Sequence, residues 1–272
     1  MRTAITISLV SQAKGGPFVF WDDLNYACET ASALGFDAIE VFPTAAAAID
    51  RPALKAMLSR YNLKIAAIGT GGGWVVNKWH LLHADSAIRD CSMQFIREIV
   101  DLAGEFSAPA IVGSMQGRVE DGIGREQSLQ ILREAFNDLG QHAARHGVPL
   151  LYEPLNRYET NLFNRVGDAA DFLDSLNTHN VKILADLFHM NIEEASIADA
   201  IREAARHIGH VHFADSNRRA VGMGHTDMKP IIAALKEIGY DGYLSGEILP
   251  LPDSHAAAAQ TARALQLLLG SH

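Results

Sequence analysis

The hydrophobic positions along the chain form short apolar runs that alternate with longer amphipathic segments. Eight runs are rich in Val, Ile and Leu and are nearly continuous in apolarity, as expected for strands that are covered on both faces. They span residues 4–10, 37–42, 64–69, 108–114, 149–154, 181–186, 208–215 and 242–249. The pattern predicts a mostly parallel sheet with helices packed against it.

The segments between these runs have the spacing of amphipathic helices. The clearest predicted helices cover residues 22–35, 85–106, 125–147 and 227–239. Asp85 or Ser86 is a suitable N-cap for the second helix, and Gly35, Gly147 and Gly239 are suitable helix stops. Strict alternation of strands and helices is typical of either a doubly wound open sheet or a closed (β/α)8 barrel. Eight strands in 272 residues favour the barrel, so we predict one α/β TIM-barrel domain over 1–272.

One glycine cluster follows an early predicted strand, in the sequence "GTGGGW" (69–74). It does not match the GxGxxG pattern of dinucleotide-binding proteins, because position 74 is a tryptophan. No strong helix start follows it. We therefore interpret the cluster as a flexible loop, and the doubly wound alternative has little support.

Composition and charge exclude several classes of partner. The formal net charge is −9, whereas nucleic-acid and anionic-membrane surfaces require a basic stripe. No apolar run approaches the roughly 18 residues of a membrane span. The first residues, "MRTAITISLV", are interpreted as a strand and not as a signal peptide. Two distant cysteines, Cys28 and Cys91, indicate a reduced, cytoplasmic protein.

Four chemically active residues are predicted to converge at one end of the barrel. Glu153, Asp186, His212 and Glu247 lie at the carboxyl ends of four successive predicted strands. Their separations are each close to one βαβ step of roughly 30 residues, so they are expected at similar height. Carboxyl ends of the strands form the active-site face of such barrels. His210 has the same strand parity as His212 but lies deeper, and we expect it inside the barrel.

Three buried carboxylates in one place would repel one another unless they bind protons or a cation. Three oxygen ligands and one imidazole nitrogen, with no cysteine, indicate a divalent site for Mn²⁺, Mg²⁺ or Co²⁺. A structural Zn²⁺ site prefers cysteine and histidine. We therefore predict one divalent ion, with Mn²⁺ favoured, held by Glu153, Asp186, His212 and Glu247.

Long motifs in the second half of the chain resemble a known family. "YEPLNRYETN", "ADLFHMNIEE", "HFADSNRRAVGMGHTD" and "GYLSGEILPLP" are similar to motifs of the ketose 3-epimerases, including tagatose/psicose-type 3-epimerases, and of 5-keto-gluconate-type epimerases. These sugar isomerases and epimerases belong to the xylose-isomerase-like TIM-barrel superfamily, of which endonuclease IV is a distant member. The similarity covers most of the chain and is densest from 150 to 250.

The resemblance implies roles for individual residues. The matching positions in that family bind one divalent cation, which implies Glu153, Asp186, His212 and Glu247 here. It also implies that Glu159, His189 and Arg218 contact the substrate oxygens at the reacting end. Relatives carry a proline where this chain has Val221, a departure that is expected to loosen the loop without removing a chemical group. The family often forms dimers or tetramers, which implies a homodimer or homotetramer.

These residues permit inversion of a carbon next to a ketone. Glu153 and Glu247 are expected to act as base and acid on opposite faces of a keto sugar or keto sugar acid, through a cis-enediolate that the metal stabilises. His189 and Arg218 would donate hydrogen bonds to the developing oxyanion, and Glu159 would orient His189 or a terminal hydroxyl.

Three other functions stay open at this point. An aldose–ketose isomerase could use the same ion and the same two glutamates. An endonuclease-IV-like phosphodiesterase would need more metal ligands and a basic groove, and the net charge opposes it. A non-catalytic sugar-binding protein would have no need of an acid and a base on opposite faces.

Several weaker candidates lie elsewhere in the sequence. Glu40 ends the second predicted strand and is expected to face the same mouth, where it would bind a substrate hydroxyl or pair with an arginine. Trp74, Trp79 and His83 are expected in a long loop that could act as a lid. Arg118 would form a surface salt bridge or meet the carboxylate of a sugar acid.

Overall fold

The computed structural model describes residues 1–120 and 123–270. Its nine strands are β1 (Arg2–Ser8), β2 (Phe20–Trp21), β3 (Ala38–Phe42), β4 (Lys64–Gly69), β5 (Ala110–Val112), β6 (Leu150–Tyr152), β7 (Val181–Asp186), β8 (Ile208–His212) and β9 (Tyr243–Gly246). All neighbouring strands are parallel, and β9 pairs with the first half of β1. The predicted closed barrel of eight parallel strands is therefore confirmed.

The extra strand β2 is a short addition at the carboxyl end of β1. It pairs with Ile7 and Ser8, beyond the part of β1 that pairs with β9. The eight barrel strands are thus β1 and β3 to β9, and each corresponds to a predicted apolar run. Most of them are shorter than predicted at their carboxyl ends, so that Glu153 and Glu247 directly follow their strands.

Ten helices surround the barrel within the described residues. They are α1 (Leu24–Ala33), α2 (Arg51–Tyr61), α3 (Gly71–Asn77), α4 (Ser86–Gly104), α5 (Arg125–Ala144), α6 (Val166–Asp174), α7 (Leu187–Glu193), α8 (Ile197–Glu203), α9 (Met228–Glu237) and α10 (Ser254–Leu269). The four helices predicted from sequence are α1, α4, α5 and α9. Asp85 is the N-cap of α4, because its Oδ1 accepts the Ala87 N–H at 2.9 Å. Within the described residues, no helix is both long and apolar enough to cross a bilayer.

Strand parity explains how a core strand delivers a carboxylate to the mouth of the barrel. Tyr152, the last residue of β6, packs outward against Phe136 of α5, with ring centroids 5.0 Å apart. Successive residues of an extended chain point to opposite faces. Glu153 therefore points toward the barrel axis, and Pro154 ends the strand.

The glycine cluster after β4 is helical, so its prediction as a flexible loop was wrong. Gly71–Asn77 form α3, with Gly72 and Gly73 buried. A β-carbon on Gly72 would lie 2.4 Å from the Pro43 carbonyl oxygen, and one on Gly73 would lie 2.6 Å from Met115 Sδ. The glycines permit close packing of a short helix. Trp74 thus stands on a helix and not in a long lid loop.

Candidate active site

The main cavity opens at the carboxyl ends of the barrel strands and has a volume of about 540 Å³. Five of the seven predicted site residues line it, namely Glu153, Glu159, His189, Arg218 and Glu247. Asp186 and His212 lie directly beneath, where both are almost fully buried. The rest of the cavity lining is mainly apolar and includes Val10, Phe18, Phe42, Ile111 and Leu249.

The four predicted metal ligands come together at the base of this cavity. One ligand atom from each of Glu153, Asp186, His212 and Glu247 lies within 4.8 Å of all the others. His212 Nδ1 is 3.2 Å from Asp186 Oδ2 and 3.3 Å from a carboxylate oxygen of each glutamate. We refer to these residues as the four-residue group. Their role as ligands stays a prediction, but the geometry that it requires is present.

The two oxygens of Asp186 have separate partners. Oδ1 accepts the Phe188 N–H at 2.8 Å and caps α7, the helix that carries His189. Oδ2 faces His212 and accepts a hydrogen bond from Arg218 Nη1 at 2.5 Å. One carboxylate thereby fixes the position of His189 and keeps an oxygen directed into the site.

Arg218 reaches into the same group from the loop after β8. Its Nη2 donates to Glu247 Oε2, and its guanidinium lies 4.9 Å above the Phe188 ring. The backbone is in the left-handed region, with φ of 61°. The backbone N–H donates to the Asp215 carbonyl, and the carbonyl accepts from Leu249. Since Arg219 is exposed and Arg218 is buried, Arg218 is the arginine that faces the site.

Charges within the site shift two pKa values in opposite directions. Burial alone would raise the pKa of Asp186, but Arg218, His189 and His212 outweigh it and hold that pKa well below its ordinary value. Burial would lower the pKa of His212, yet the carboxylates of Glu40, Asp186 and Glu153 raise it well above its ordinary value. The base of the cavity therefore stabilises positive charge among ionised carboxylates.

Asn156 is a site residue that the sequence analysis missed. Its Nδ2 donates to His189 Nδ1 at 2.7 Å and to Glu159 Oε1 at 2.9 Å, and its backbone N–H also points at His189 Nδ1, at 3.4 Å. Because a backbone N–H is always a donor, Nδ1 is the acceptor and Nε2 carries the proton. Glu159 is 3.8 Å from His189 Nδ1, so Asn156, and not Glu159, orients this ring. Its only sequence signal was its place in "YEPLNRYE".

Three groups fix the position of Glu153. Gln116 Nε2 donates to the Glu153 carbonyl at 2.9 Å, and Tyr152 donates from its hydroxyl to Gln116 Oε1 at 2.8 Å. Gly113 supplies space, because a β-carbon there would lie 2.3 Å from Glu153 Oε2. Neither Gln116 nor Gly113 was predicted as part of the site.

Glu40 does not face the cavity mouth, and among the described residues it pairs with histidines and not with an arginine. It is fully buried beneath the four-residue group and hydrogen-bonds to two histidines, His210 Nε2 at 2.6 Å and His212 Nε2 at 2.8 Å. Burial would raise the pKa of Glu40, but the two histidines lower it far below its ordinary value. The prediction that His210 lies inside the barrel is confirmed.

The loop that carries Arg218 is held by Asp215, which was also missed. Asp215 Oδ2 accepts the N–H groups of Gly222 and Gly224, and Oδ1 accepts those of Ser216 and Thr226, at distances from 2.7 to 3.0 Å. The carbonyl of Val221, the residue that the sequence analysis gave as a departure from the family motif, accepts from Gln260 Nε2 at 2.8 Å. The hydrogen bonds from Gln260 and to Asp215 therefore hold the loop around Val221.

The remaining candidates border a second cavity of about 320 Å³ that adjoins the first. Trp74, Arg118 and Glu159 line it. Within the described residues, Arg118 makes no salt bridge, so the predicted surface pairing is not seen there. His83 lies outside the cavity wall and accepts the Asp85 N–H at 3.0 Å.

The four-residue group fits a divalent cation on chemical grounds. Its donors are carboxylate oxygens and one imidazole nitrogen, which suit Mn²⁺, Mg²⁺ or Co²⁺. Arg218 and the protonated His212 balance part of the charge of the three carboxylates. A divalent ion would replace the proton on His212 Nδ1, because this nitrogen faces the point where the carboxylates converge.

Comparison with known proteins places the chain in a family. The model of a xylose isomerase-like TIM barrel matches residues 28–268. A D-psicose 3-epimerase from Ruminiclostridium cellulolyticum is 30% identical over 239 residues, covering 83% of this chain and 80% of that protein. A 3-dehydro-D-guloside 4-epimerase from Escherichia coli is 35% identical over 115 residues, covering 42% and 44%.

The architecture agrees with these relationships. A solved structure of an L-ribulose 3-epimerase superposes with a TM-score of 0.83 at 25% sequence identity, covering 98% of this chain and 94% of that one. The named relatives are epimerases. The chain belongs to the xylose isomerase-like TIM-barrel family, and it is an enzyme of the isomerase class, of the epimerase type.

Proposed function

We propose that this protein is a divalent-metal-dependent epimerase that inverts the carbon next to the ketone of a keto sugar or keto sugar acid. The observation that carries the proposal is the convergence of Glu153 and Glu247, from β6 and β9, on His212 Nδ1 at 3.3 Å each. Inversion needs a proton removed on one face of a carbon and another delivered on the opposite face. Two carboxylates from different strands that converge on one point support this two-base proposal.

Glu153, Asp186, His212 and Glu247 would hold the cation, and Mn²⁺ is the ion we favour. When bound, a divalent cation would supply Lewis-acid polarisation of the substrate carbonyl and so acidify the neighbouring C–H bond. The proposal that it is present draws support from the buried carboxylates, whose mutual repulsion requires a compensating positive charge.

The proton transfers are assigned to the two glutamates. Both line the cavity, and both are more than nine-tenths buried. A carboxylate in such a site is shielded from bulk water, which strengthens its electrostatic interaction with the substrate. Gln116 holds the backbone of Glu153 and Gly113 leaves room for its carboxylate, whereas the Glu247 carboxylate accepts a hydrogen bond from Arg218.

Arg218 and His189 would stabilise negative charge that develops on the substrate oxygens. Arg218 is a fixed cation within the site, and His189 presents Nε2–H toward the carboxylate end of the cavity. Donors aimed at developing charge in a water-poor site are typically the largest single contribution to such reactions. Glu159 lies on the cavity wall, where it would bind a substrate hydroxyl.

Substrate size and chemistry follow from the cavity. A volume of about 540 Å³ exceeds what one six-carbon sugar occupies, and the adjoining chamber adds space. The relatives named above act at carbon 3 or carbon 4 of keto sugars. We infer an unphosphorylated keto sugar or keto sugar acid, bound by a cytoplasmic homodimer or homotetramer.

An aldose–ketose isomerase on the same site is the alternative that the geometry favours next, since the same glutamates could move a proton between adjacent carbons. A phosphodiesterase is less well supported. It would need a larger metal cluster than four residues and a basic groove, and the net charge is −9.

Solvent exchange tests the proposal directly. Metal-loaded protein is incubated in D₂O with ketohexoses, ketopentoses and keto-gluconates, beside Glu247→Gln and a surface control, Glu237→Gln, whose carboxylate pairs with Arg202 on the outside. We expect deuterium at the carbon next to the ketone, a new epimer, and loss of both in Glu247→Gln alone. An aldose product would change the assignment to isomerase. Absence of exchange with every substrate would contradict a proton-transfer function.

A further inference from the structure

Glu40 joins two histidines in the barrel interior directly beneath the four-residue group. Oε1 faces His212 Nε2 at 2.8 Å, and Oε2 faces His210 Nε2 at 2.6 Å. Glu40, His210 and His212 are all at most 1% exposed. Among the described residues, no other group hydrogen-bonds to this carboxylate. Both of its oxygens are therefore hydrogen-bonded to ring nitrogens of the two histidines on β8.

This geometry determines which nitrogen of His212 is free. A carboxylate only accepts hydrogen bonds, so each Nε2 that faces it must carry the hydrogen. His212 then has its other nitrogen, Nδ1, directed at the oxygens of Asp186, Glu153 and Glu247 at 3.2 to 3.3 Å. With Nε2 occupied by a donor hydrogen bond, Nδ1 is the nitrogen that can bind a cation.

The second histidine explains how Glu40 is itself held. His210 and His212 lie two residues apart on β8, so both side chains point into the barrel. Glu40 projects from β3, which is separated from β8 by β9 and β1 in the barrel order. A single hydrogen bond would let the carboxylate rotate about its axis. The bond to His210 at the second oxygen fixes the carboxylate plane, and with it the His212 ring.

We propose that Glu40 and His210 are positioning residues that fix the tautomer and ring orientation of His212, so that Nδ1 alone is presented to the divalent cation. The inference rests on the proposed function, because it requires that cation at the four-residue group. Outer hydrogen bonds of this kind typically change metal affinity by about 10- to 100-fold.

Affinity for Co²⁺ is the first test, measured by calorimetry and by the visible absorption of the bound ion. The titrations use the His142→Asn background, because Asp101, His142 and His146 offer a second set of ligand atoms on the outer helices. Glu40→Gln is nearly isosteric, but its amide must donate to one of the two rings. We expect an affinity about 10- to 100-fold lower and an altered Co²⁺ spectrum, with unchanged circular dichroism.

Two comparison variants make the outcome interpretable. Asp186→Asn removes a proposed ligand, and Glu105→Gln removes a surface carboxylate that pairs with Arg51. We expect loss of binding in the first and wild-type affinity in the second. Wild-type affinity and spectrum in Glu40→Gln would overturn this inference alone. Absence of Co²⁺ binding by the wild-type chain would overturn it together with the proposed metal dependence.

The wild-type protein provides a test that needs no variant to fold. In Zn²⁺-loaded protein with ¹⁵N-labelled histidine, long-range ¹H–¹⁵N correlations identify the protonated nitrogen of each ring. We expect His212 and His210 to carry hydrogen on Nε2, and the His212 Nδ1 resonance to shift when Zn²⁺ binds. Hydrogen on His212 Nδ1 in the loaded protein, with the ion on Nε2, would refute the proposal.

Discussion

The Glu153 carboxylate occupies the space where a β-carbon of Gly113 would lie: Oε2 is 2.3 Å from that position. Gly113 follows β5 and Glu153 follows β6, and these strands are hydrogen-bonded neighbours. The absence of a side chain on one strand thus permits the proposed catalytic base on the next.

Gly113→Ala should therefore impair catalysis far more than folding. The new methyl group would push the carboxylate from its position, and misplacement of a reacting group by about 1 Å typically lowers the rate about 100-fold. Steady-state kinetics should show the loss mainly in kcat. Gly167→Ala on α6 is the matched control, because a β-carbon there meets nothing within 4 Å. Equal kinetics in the two variants would contradict the steric argument.

Asn156 should matter as a hydrogen-bond donor and not only as a filler of space. Asn156→Ala removes one donor to His189 Nδ1, and a net loss of about 1 kcal/mol corresponds to a kcat about 5-fold lower. N156D should be worse although it is isosteric, because a carboxylate cannot donate to Nδ1 and favours a proton there, so the neutral ring with its only hydrogen on Nε2 is lost. If N156D lowered kcat less than Asn156→Ala does, the His189 tautomer with hydrogen on Nε2 would be excluded. Asn137→Asp, on the outer surface, is the control, since its oxygen accepts the Asn177 N–H.

Adjacent arginines allow a sharp test of the charge in the site. Arg218 contacts Asp186 and Glu247, whereas Arg219 is exposed. Arg218→Met should lower kcat/KM by about 10²- to 10³-fold, the usual effect of removing one donor to a developing oxyanion. Arg219→Met should leave it within about twofold. A larger loss of kcat/KM in Arg219→Met than in Arg218→Met would assign the charge-stabilising role to Arg219.

Asp215 should make folding stability sensitive to acid. Burial would raise its pKa, but four backbone N–H groups lower it below the ordinary value. Its stabilisation is therefore complete above the unfolded pKa of about 3.9 and is lost as the pH falls toward the folded value. Asp215→Asn should lower the free energy of unfolding by about 1–3 kcal/mol at pH 7, because the NH₂ group of the asparagine would face backbone N–H groups that are also donors.

Denaturant unfolding of both proteins between pH 3 and pH 7 would isolate the Asp215 contribution. Other carboxylates titrate equally in the wild type and in Asp215→Asn. The difference in unfolding free energy between the two proteins should therefore narrow only below about pH 4. A difference that is constant across this range would mean that the Asp215 pKa is not lowered.

Removal of the proposed metal should abolish activity without unfolding the protein. Arg218 already compensates part of the carboxylate charge at the base of the cavity, so the barrel is expected to stay folded after chelation. Added Mn²⁺ at about 100 times its dissociation constant should then stabilise the fold by about 2.7 kcal/mol. Thermal unfolding with and without EDTA measures this. Unchanged stability on adding Mn²⁺ would contradict a specific site.

The barrel and the four-residue group could be predicted because both depend on periodicity. Each residue of the group directly follows or ends a buried strand, so strand order alone brings them together. The depth of Glu40 could not be predicted, because it lies in the middle of β3 and its partners come from a strand that is not adjacent. Sequence spacing does not reveal how side chains meet across a barrel interior.

Loop residues were missed for a different reason. Asn156 and Asp215 act through turns whose hydrogen bonds form only once the strand ends are in place. The helix α3 was missed because three glycines give it neither propensity nor an apolar stripe. Close contacts of Gly72 and Gly73 with Pro43 and Met115 explain why small residues stand there.

The cavity is polar at its base and mainly apolar along the rest of its lining, where Phe18 packs on Phe42 with ring centroids 4.6 Å apart. The Thr70 hydroxyl on that side donates to the Ile111 carbonyl and so turns away from the cavity. For the proposed function, this lining would place the reacting end of a keto sugar against polar groups and its distal carbons against an apolar surface. If the proposed function is correct, we expect keto sugars that differ only in chain length or in a distal hydroxyl to be turned over with similar kcat/KM, so that one site would serve several related substrates.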